Sequence, residues 1–186
     1  MKMDLSNLLD FTGLVLLSNN PQSGIFQHSV VVIVQHNKDI ETMGLCINFP
    51  LRLMLNDFDE DAWGAFDNVP VFRGGPLQPK RILVTSMNWD ANRQILRWQL
   101  GLDQQQALQL ISQHPKSGFK AYCGHIAWQP GELAHELQQN LWLPVPMPSK
   151  KIFKTANHKL WHTLMLQFYP EYLKSSPDFP ENPTMN

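Results

Sequence analysis

Cysteine is scarce in this chain: two in 186 residues, too few for a disulfide framework. Cys46 and Cys123 each sit inside an apolar stretch, which predicts buried free thiols in a reducing compartment. Neither sign of charge is in excess, with 15 Lys and Arg against 16 Asp and Glu and a formal net charge of −1. That balance excludes a global attraction to nucleic acid or to an acidic membrane and leaves only local patches. No run reaches the about 18 consecutive apolar residues of a membrane-crossing helix. Met1–Asp10 carries two acids and one Lys rather than a basic region ahead of a long apolar segment, so the expected location is the cytoplasm.

Motifs of established chemistry are missing too. No Walker loop or dinucleotide fingerprint surrounds Gly74-Gly75-Pro76, which reads as a tight structural turn, with exposed amides for an anion as the functional alternative. The acids Asp57, Asp59, Glu60 and Asp61 lack the Gly and Glu spacing of a calcium loop and read as a solvated surface. His158 and His162 stand four apart, but no Glu follows the first and no third ligand is evident, so no metal is expected. Cys123-Gly124-His125 would place a thiol and an imidazole on one face of a strand. A catalytic thiol also needs an oriented base and an oxyanion site, and a buried structural Cys is the simpler reading. No Gly-x-Ser-x-Gly elbow is present, and Ser29 and Ser86 lack identifiable partners. Lys150, Lys151 and Lys154 with Phe153 form a small basic patch, unaccompanied by a helix-turn-helix, a zinc finger or an RNA-binding aromatic signature.

What is present is organised around Ser29–Pro50. Val30–Val34 is β-branched throughout and Leu45–Ile47 is apolar, with the polar Gln35–Thr42 between them; this predicts strand, loop, strand, the first strand covered on both faces. Met43-Gly44 allows a close backbone approach, and Pro50 should end the ladder. Strands are also expected at Gly13–Leu17, Val69–Arg73, Arg81–Ser86, Gln94–Gln99 and Phe119–Ile126, with Ser18–Gly24 a loop. Asp4–Leu9 could form a helical turn, and Leu51–Phe66 a helix or ordered loop. Asp103 should cap a helix over Gln104–Gln113, burying Ala107, Leu108, Leu110 and Ile111. Pro130 should open a second helix through Leu137. The proline-rich Trp142–Met147 should be extended, at an edge or in a loop. Ala156–Phe168, with Leu160, Trp161, Leu164, Met165 and Phe168 on one face, should pack on the sheet. These elements suit a single α/β domain, bordering on α+β, over residues 1–172, with a loose proline-rich tail over 173–186.

The motifs fall in a recognisable order: Phe26-Gln27-His28-Ser29-Val30, His36-Asn37, Met43-Gly44-Leu45, Ile47-Asn48, Pro50, Gly74-Gly75-Pro76, and Trp128-x-Pro-Gly-x-Leu ending at Leu133. Over residues 11–168 the chain resembles the YqgE/AlgH family of bacterial proteins. The resemblance implies a mixed, curved sheet flanked by helices and a proposed role in transcriptional regulation, with no agreed catalytic residues and no cofactor. It makes His36, Asn37, Asn48, Gly74, Gly75, His125 and Trp128 the candidate ligand-binding or family-motif residues. The chain departs from the family pattern in carrying Gln35 for a Glu, Phe49 for an Arg, His28 for an Arg and Ser86 for a His, so it looks like a divergent member. The expectation is a non-enzymatic binding protein contacting a protein or a small ligand, with no membrane partner. Direct DNA binding and a cryptic cysteine-dependent activity are the alternatives.

Overall fold

A computed structural model describes residues 10–19, 24–58, 63–90, 95–115, 117–145 and 157–174. The helical turn expected at Asp4–Leu9, the acids Asp59, Glu60 and Asp61, the basic cluster Lys150–Lys154 and the tail beyond residue 174 lie outside them.

The strands are β1 (Val15–Ser18), β2 (Val30–His36), β3 (Thr42–Cys46), β4 (Pro50–Met54), β5 (Pro70–Arg73), β6 (Leu77–Asp90), β7 (Ile95–Leu100), β8 (Gly118–Trp128) and β9 (Trp142–Val145). They form one nine-stranded sheet with the path β4-β5-β8-β3-β2-β1-β9, while β6 joins β8 and carries β7. Every pairing is antiparallel except β5 with β8, so the sheet is mixed and the fold is α/β.

The apolar run of β2 behaves as its composition requires. Val30 and Val32 enter one core with β1 residues Val15 and Leu17, while Val31 and Ile33 enter another with Leu16, Trp128 and Leu133. Helix α3 (Leu160–Phe168) covers the first face through Leu160, Leu164 and Met165, and α2 (Glu132–Gln138) covers the second through Leu133. Each such fully buried aliphatic side chain contributes roughly 1.5–3 kcal/mol. A third core joins Val71, Val84 and Ala121 to Ala107 of α1 (Gln104–Gln113). Helix α4 (Pro170–Lys174) follows α3. The β9 strand lies at the end of the sheet path, where its one proline, Pro144, costs no interior ladder bond. Both cysteines are buried and free.

Several expectations need correction. The return strand β3 ends at Cys46, ahead of Asn48-Phe49-Pro50 as expected, but Pro50 itself opens β4 and pairs with Phe72, a position where a missing N–H is tolerated. Of the helix or ordered loop expected over Leu51–Phe66, the described residues form β4 and short 3-10 turns at Leu55–Asp57 and Gly64–Phe66. The strand expected at Arg81–Ser86 runs from Leu77 to Asp90. Asp103 caps α1 as expected, its carboxylate accepting from Gln106 N–H at 2.7 Å, yet Leu108 and Ile111 stay exposed and only Ala107 is fully buried. Pro130 sits in the turn before α2, whose N-cap is Gly131 at φ 81°. α3 starts at Leu160, so His158 precedes it and packs against Phe49, ring centroids 5.5 Å apart. The two histidines therefore do not share a helix face.

Candidate functional site

The site begins with a backbone crossing. Gly74, just after β5, donates its N–H to Cys123 O of β8 and accepts from Cys46 N–H of β3, both at 2.8 Å. A Cβ on Gly75 would lie 2.2 Å from the His125 carbonyl carbon, and one on Gly124 would lie 2.5 Å from Gly75 O. Three glycines thus let two backbones touch where a side chain would hold them apart. Gly124 adopts φ 69°, and between Leu77 and Ile82 the β6–β8 register shifts so that the extra residues, and hence the bulge, lie on β6 opposite Gly124.

Over this crossing lies a cavity of about 370 Å3. Ser29, Cys46 and Cys123, all buried, form its inner end. Ile25, Leu51, Leu53 and Phe58, which are 37–54% exposed, form an apolar wall that no core cluster covers. Leu51 and Leu53 reach it from β4, whose register shift is centred on Arg52 at φ 57°. Arg73, at the end of β5 and exposed, is the charged residue of the lining. Its guanidinium lies 4.4 Å above the Phe49 ring and 3.5 Å from Ile25 O. Neither contact neutralises it.

Burial pushes the Cys46 thiol above its ordinary range, partly offset by the Ser29 hydroxyl, by the backbone at Asn48 and by the Arg73 charge. Burial raises the Cys123 thiol likewise. Both are therefore protonated at neutral pH and weak as nucleophiles. Cys46 and Cys123 bond to opposite sides of Gly74, which separates them by two strand spacings, roughly 9–10 Å, beyond the about 7 Å that a disulfide spans. The positive φ of Gly124 breaks the strand alternation that would have aligned Cys123 with His125. Ser29 Oγ is buried beside the Cys46 thiol and makes no hydrogen bond of good geometry among the described residues.

A second cavity, about 200 Å3, lies beside α2. Glu136 Oε2 there accepts from the indole N–H groups of Trp128 at 2.7 Å and Trp142 at 2.6 Å. Phe26 lines both cavities.

The candidates read from the sequence divide among these places. Gly75 lines the large cavity, Gly74 bridges its two cysteines, and Asn48 binds Cys46 Sγ at 3.3 Å. Trp128 belongs to the small cavity. His125 is half-buried and pairs with Leu77. His36 and Asn37 lie apart, at the β2–β3 turn: His36 Nδ1 is 2.7 Å from Thr42 Oγ1, and Asn37 Oδ1 accepts from Asp39 N–H at 3.0 Å. Arg73, Leu51, Leu53 and Phe58 were not among the candidates. The Leu51-x-Leu53 alternation and a lone Arg directly before Gly74-Gly75 were the available signals.

Residues 14–173 match the family described as AlgH-like (DUF179). The chain is similar to a UPF0301 protein of Parabacteroides distasonis, 25% identical over all of this chain and 96% of the relative. It is also similar to one of Pectobacterium atrosepticum, 31% identical over 75% of this chain and 81% of the relative. Among solved structures, the AlgH protein of Pseudomonas aeruginosa superposes with a TM-score of 0.62 at 20% identity, covering 97% of this chain and all of that one. A Corynebacterium diphtheriae protein gives 0.65 at 21% identity, covering 95% and 94%. At these identities the structural likeness concerns the fold.

Proposed function

Because the chain belongs to the AlgH-like family, which brings a fold but no reaction, we propose that its function rests on binding a small apolar ligand in the large cavity. One observation carries this reading: Ile25, Leu51, Leu53 and Phe58 converge on about 370 Å3 of open space while remaining substantially exposed. Large apolar side chains around a concave space of this size are the usual make-up of small-molecule sites. The raised thiols favour binding over cysteine chemistry, since a protonated thiol is neither a nucleophile nor a charge. Any regulatory role would then follow from occupancy of the cavity rather than from direct contact with DNA.

The test uses a neutral apolar dye, N-phenylnaphthylamine, whose emission rises on burial. Wild-type protein should bind it saturably at one site. Leu53→Asp, which places a carboxylate on the wall, should weaken binding about tenfold or more, and because Leu53 is exposed its unfolding curve should barely move. Absence of saturable binding, or equal binding by the variant, would overturn the reading. So would saturable, salt-sensitive binding of the purified protein to a defined promoter fragment that the dye does not affect.

A further inference from the structure

Three features at the inner end of the large cavity go beyond an apolar pocket. The first is Arg73, whose guanidinium touches a ring face and a carbonyl but is paired with no carboxylate among the described residues. The second is Ser29, 1% exposed, a lining residue whose hydroxyl lies beside the Cys46 thiol without a hydrogen bond of good geometry among those residues. Buried hydroxyls are normally satisfied, and one left open beside a cavity marks the place of a missing partner. The third is position. Ser29 and Arg73 flank Cys46, whose thiol is already committed to Asn48 Oδ1 at 3.3 Å. A cation and a hydroxyl thus both stand near Cys46, in a cavity that Leu51, Leu53 and Phe58 also line.

We infer that the ligand is an alkyl carboxylate, with its head on the Arg73 guanidinium and the Ser29 hydroxyl and its chain along Leu51, Leu53 and Phe58. The inference rests on the small-ligand reading of the same cavity and adds the charge and polarity of the head. One guanidinium supplies one positive charge in a planar fork that fits a carboxylate with two parallel hydrogen bonds, and Ser29 can donate a third. The Phe49 ring contacts the guanidinium from one face and one of its N–H groups lies 3.5 Å from Ile25 O, which leaves further donors of the fork for the head. A neutral head would leave the Arg73 charge without a partner. A dianionic phosphate would bring one charge more than the site offers.

Calorimetric titration of the full chain, below micellar concentrations, tests this with hexanoate, octanoate, decanoate, octanol and octyl phosphate. Octanoate should bind about tenfold more tightly than octanol and more tightly than octyl phosphate. Affinity should rise about fourfold for each added methylene while the wall lasts. Arg73→Met should abolish the preference for octanoate over octanol. Ser29→Ala should weaken octanoate several-fold. Arg73 is exposed, so its variant should fold; independently, wild-type affinity for octanoate should fall with added salt while that for octanol should not. Equal binding of octanoate and octanol, tighter binding of octyl phosphate, or an Arg73→Met variant that keeps the preference would overturn the carboxylate assignment and leave the apolar reading standing. Failure of every compound, octanol included, would overturn the apolar reading itself.

Discussion

Asn48 shows how a residue can carry a family motif and still be structural. It is wholly buried. Its amide oxygen accepts from Val30 N–H at 2.8 Å and from the Cys46 thiol at 3.3 Å, and its amide nitrogen donates to His28 O at 2.9 Å. The side chain therefore ties the first residue of β2 to the segment just past β3, where the backbone ladder offers Val30 N–H no partner. Asn48→Ala would leave that N–H without a partner and remove a donor from the His28 carbonyl, and a stranded buried group costs more than an average hydrogen bond is worth. The expected loss is about 2–3 kcal/mol, read as a lower urea midpoint with an unchanged slope. Arg73→Met, at an exposed position without a carboxylate partner among the described residues, should move the same midpoint by less than about 0.5 kcal/mol. The contrast separates the brace, which bonds Cys46 from behind the lining, from the proposed binding residue in the lining itself.

Among the elements, the Gly74-Gly75 crossing is the least tolerant of change. A Cβ at position 75 would meet the carbonyl carbon and oxygen of His125 at 2.2 Å, and these are backbone atoms that cannot rotate away. Gly75→Ala should therefore cost about 3 kcal/mol or more and separate β8 from the strand that follows the crossing. Loss of cooperative unfolding, together with faster alkylation of both thiols, would report it; a midpoint within error of wild type would refute it. Elements whose stability is encoded locally were the legible ones. β2 announces itself by an unbroken β-branched run, and α1 by the reciprocal Asp103–Gln106 cap. β4 was hidden because its two wall leucines flank a residue at positive φ, and because acids after it mimic the start of a helix. The cavity was less legible still. Ile25, Leu53, Arg73 and Cys123 are far apart in the chain and meet only through the parallel β5–β8 pairing, a non-local contact that no window of sequence reports.

At the scale of the whole molecule, net charge near zero leaves pH dependence to a few buried groups, and these oppose one another. Lys120 on β8 has its pKa lowered by burial to about 8, from an ordinary 10.5; its ammonium lies 4.6 Å from the Phe72 ring centroid, a contact too weak to offset lost hydration. A lysine with a depressed folded pKa penalises the native state below that pKa. The penalty is released as pH rises from about 8 to 10.5, where the unfolded chain still holds the proton and the folded chain does not. Cys46 and Cys123 act in the other sense. Their folded pKa values are raised, so their contribution is fully present below the ordinary thiol value of 9.0 and is lost as the pH rises through it. The wild-type profile alone cannot divide the two effects, but a difference profile can. Subtracting the unfolding free energy of Lys120→Met from that of wild type cancels the thiols, which are common to both proteins. The difference should shift in favour of wild type by about 2 kcal/mol between pH 8 and 10.5, whatever its value at neutral pH. A flat difference across that window would mean that Lys120 keeps an ordinary pKa in the fold, and so that water reaches β8 beside the Phe72–Tyr122 pair.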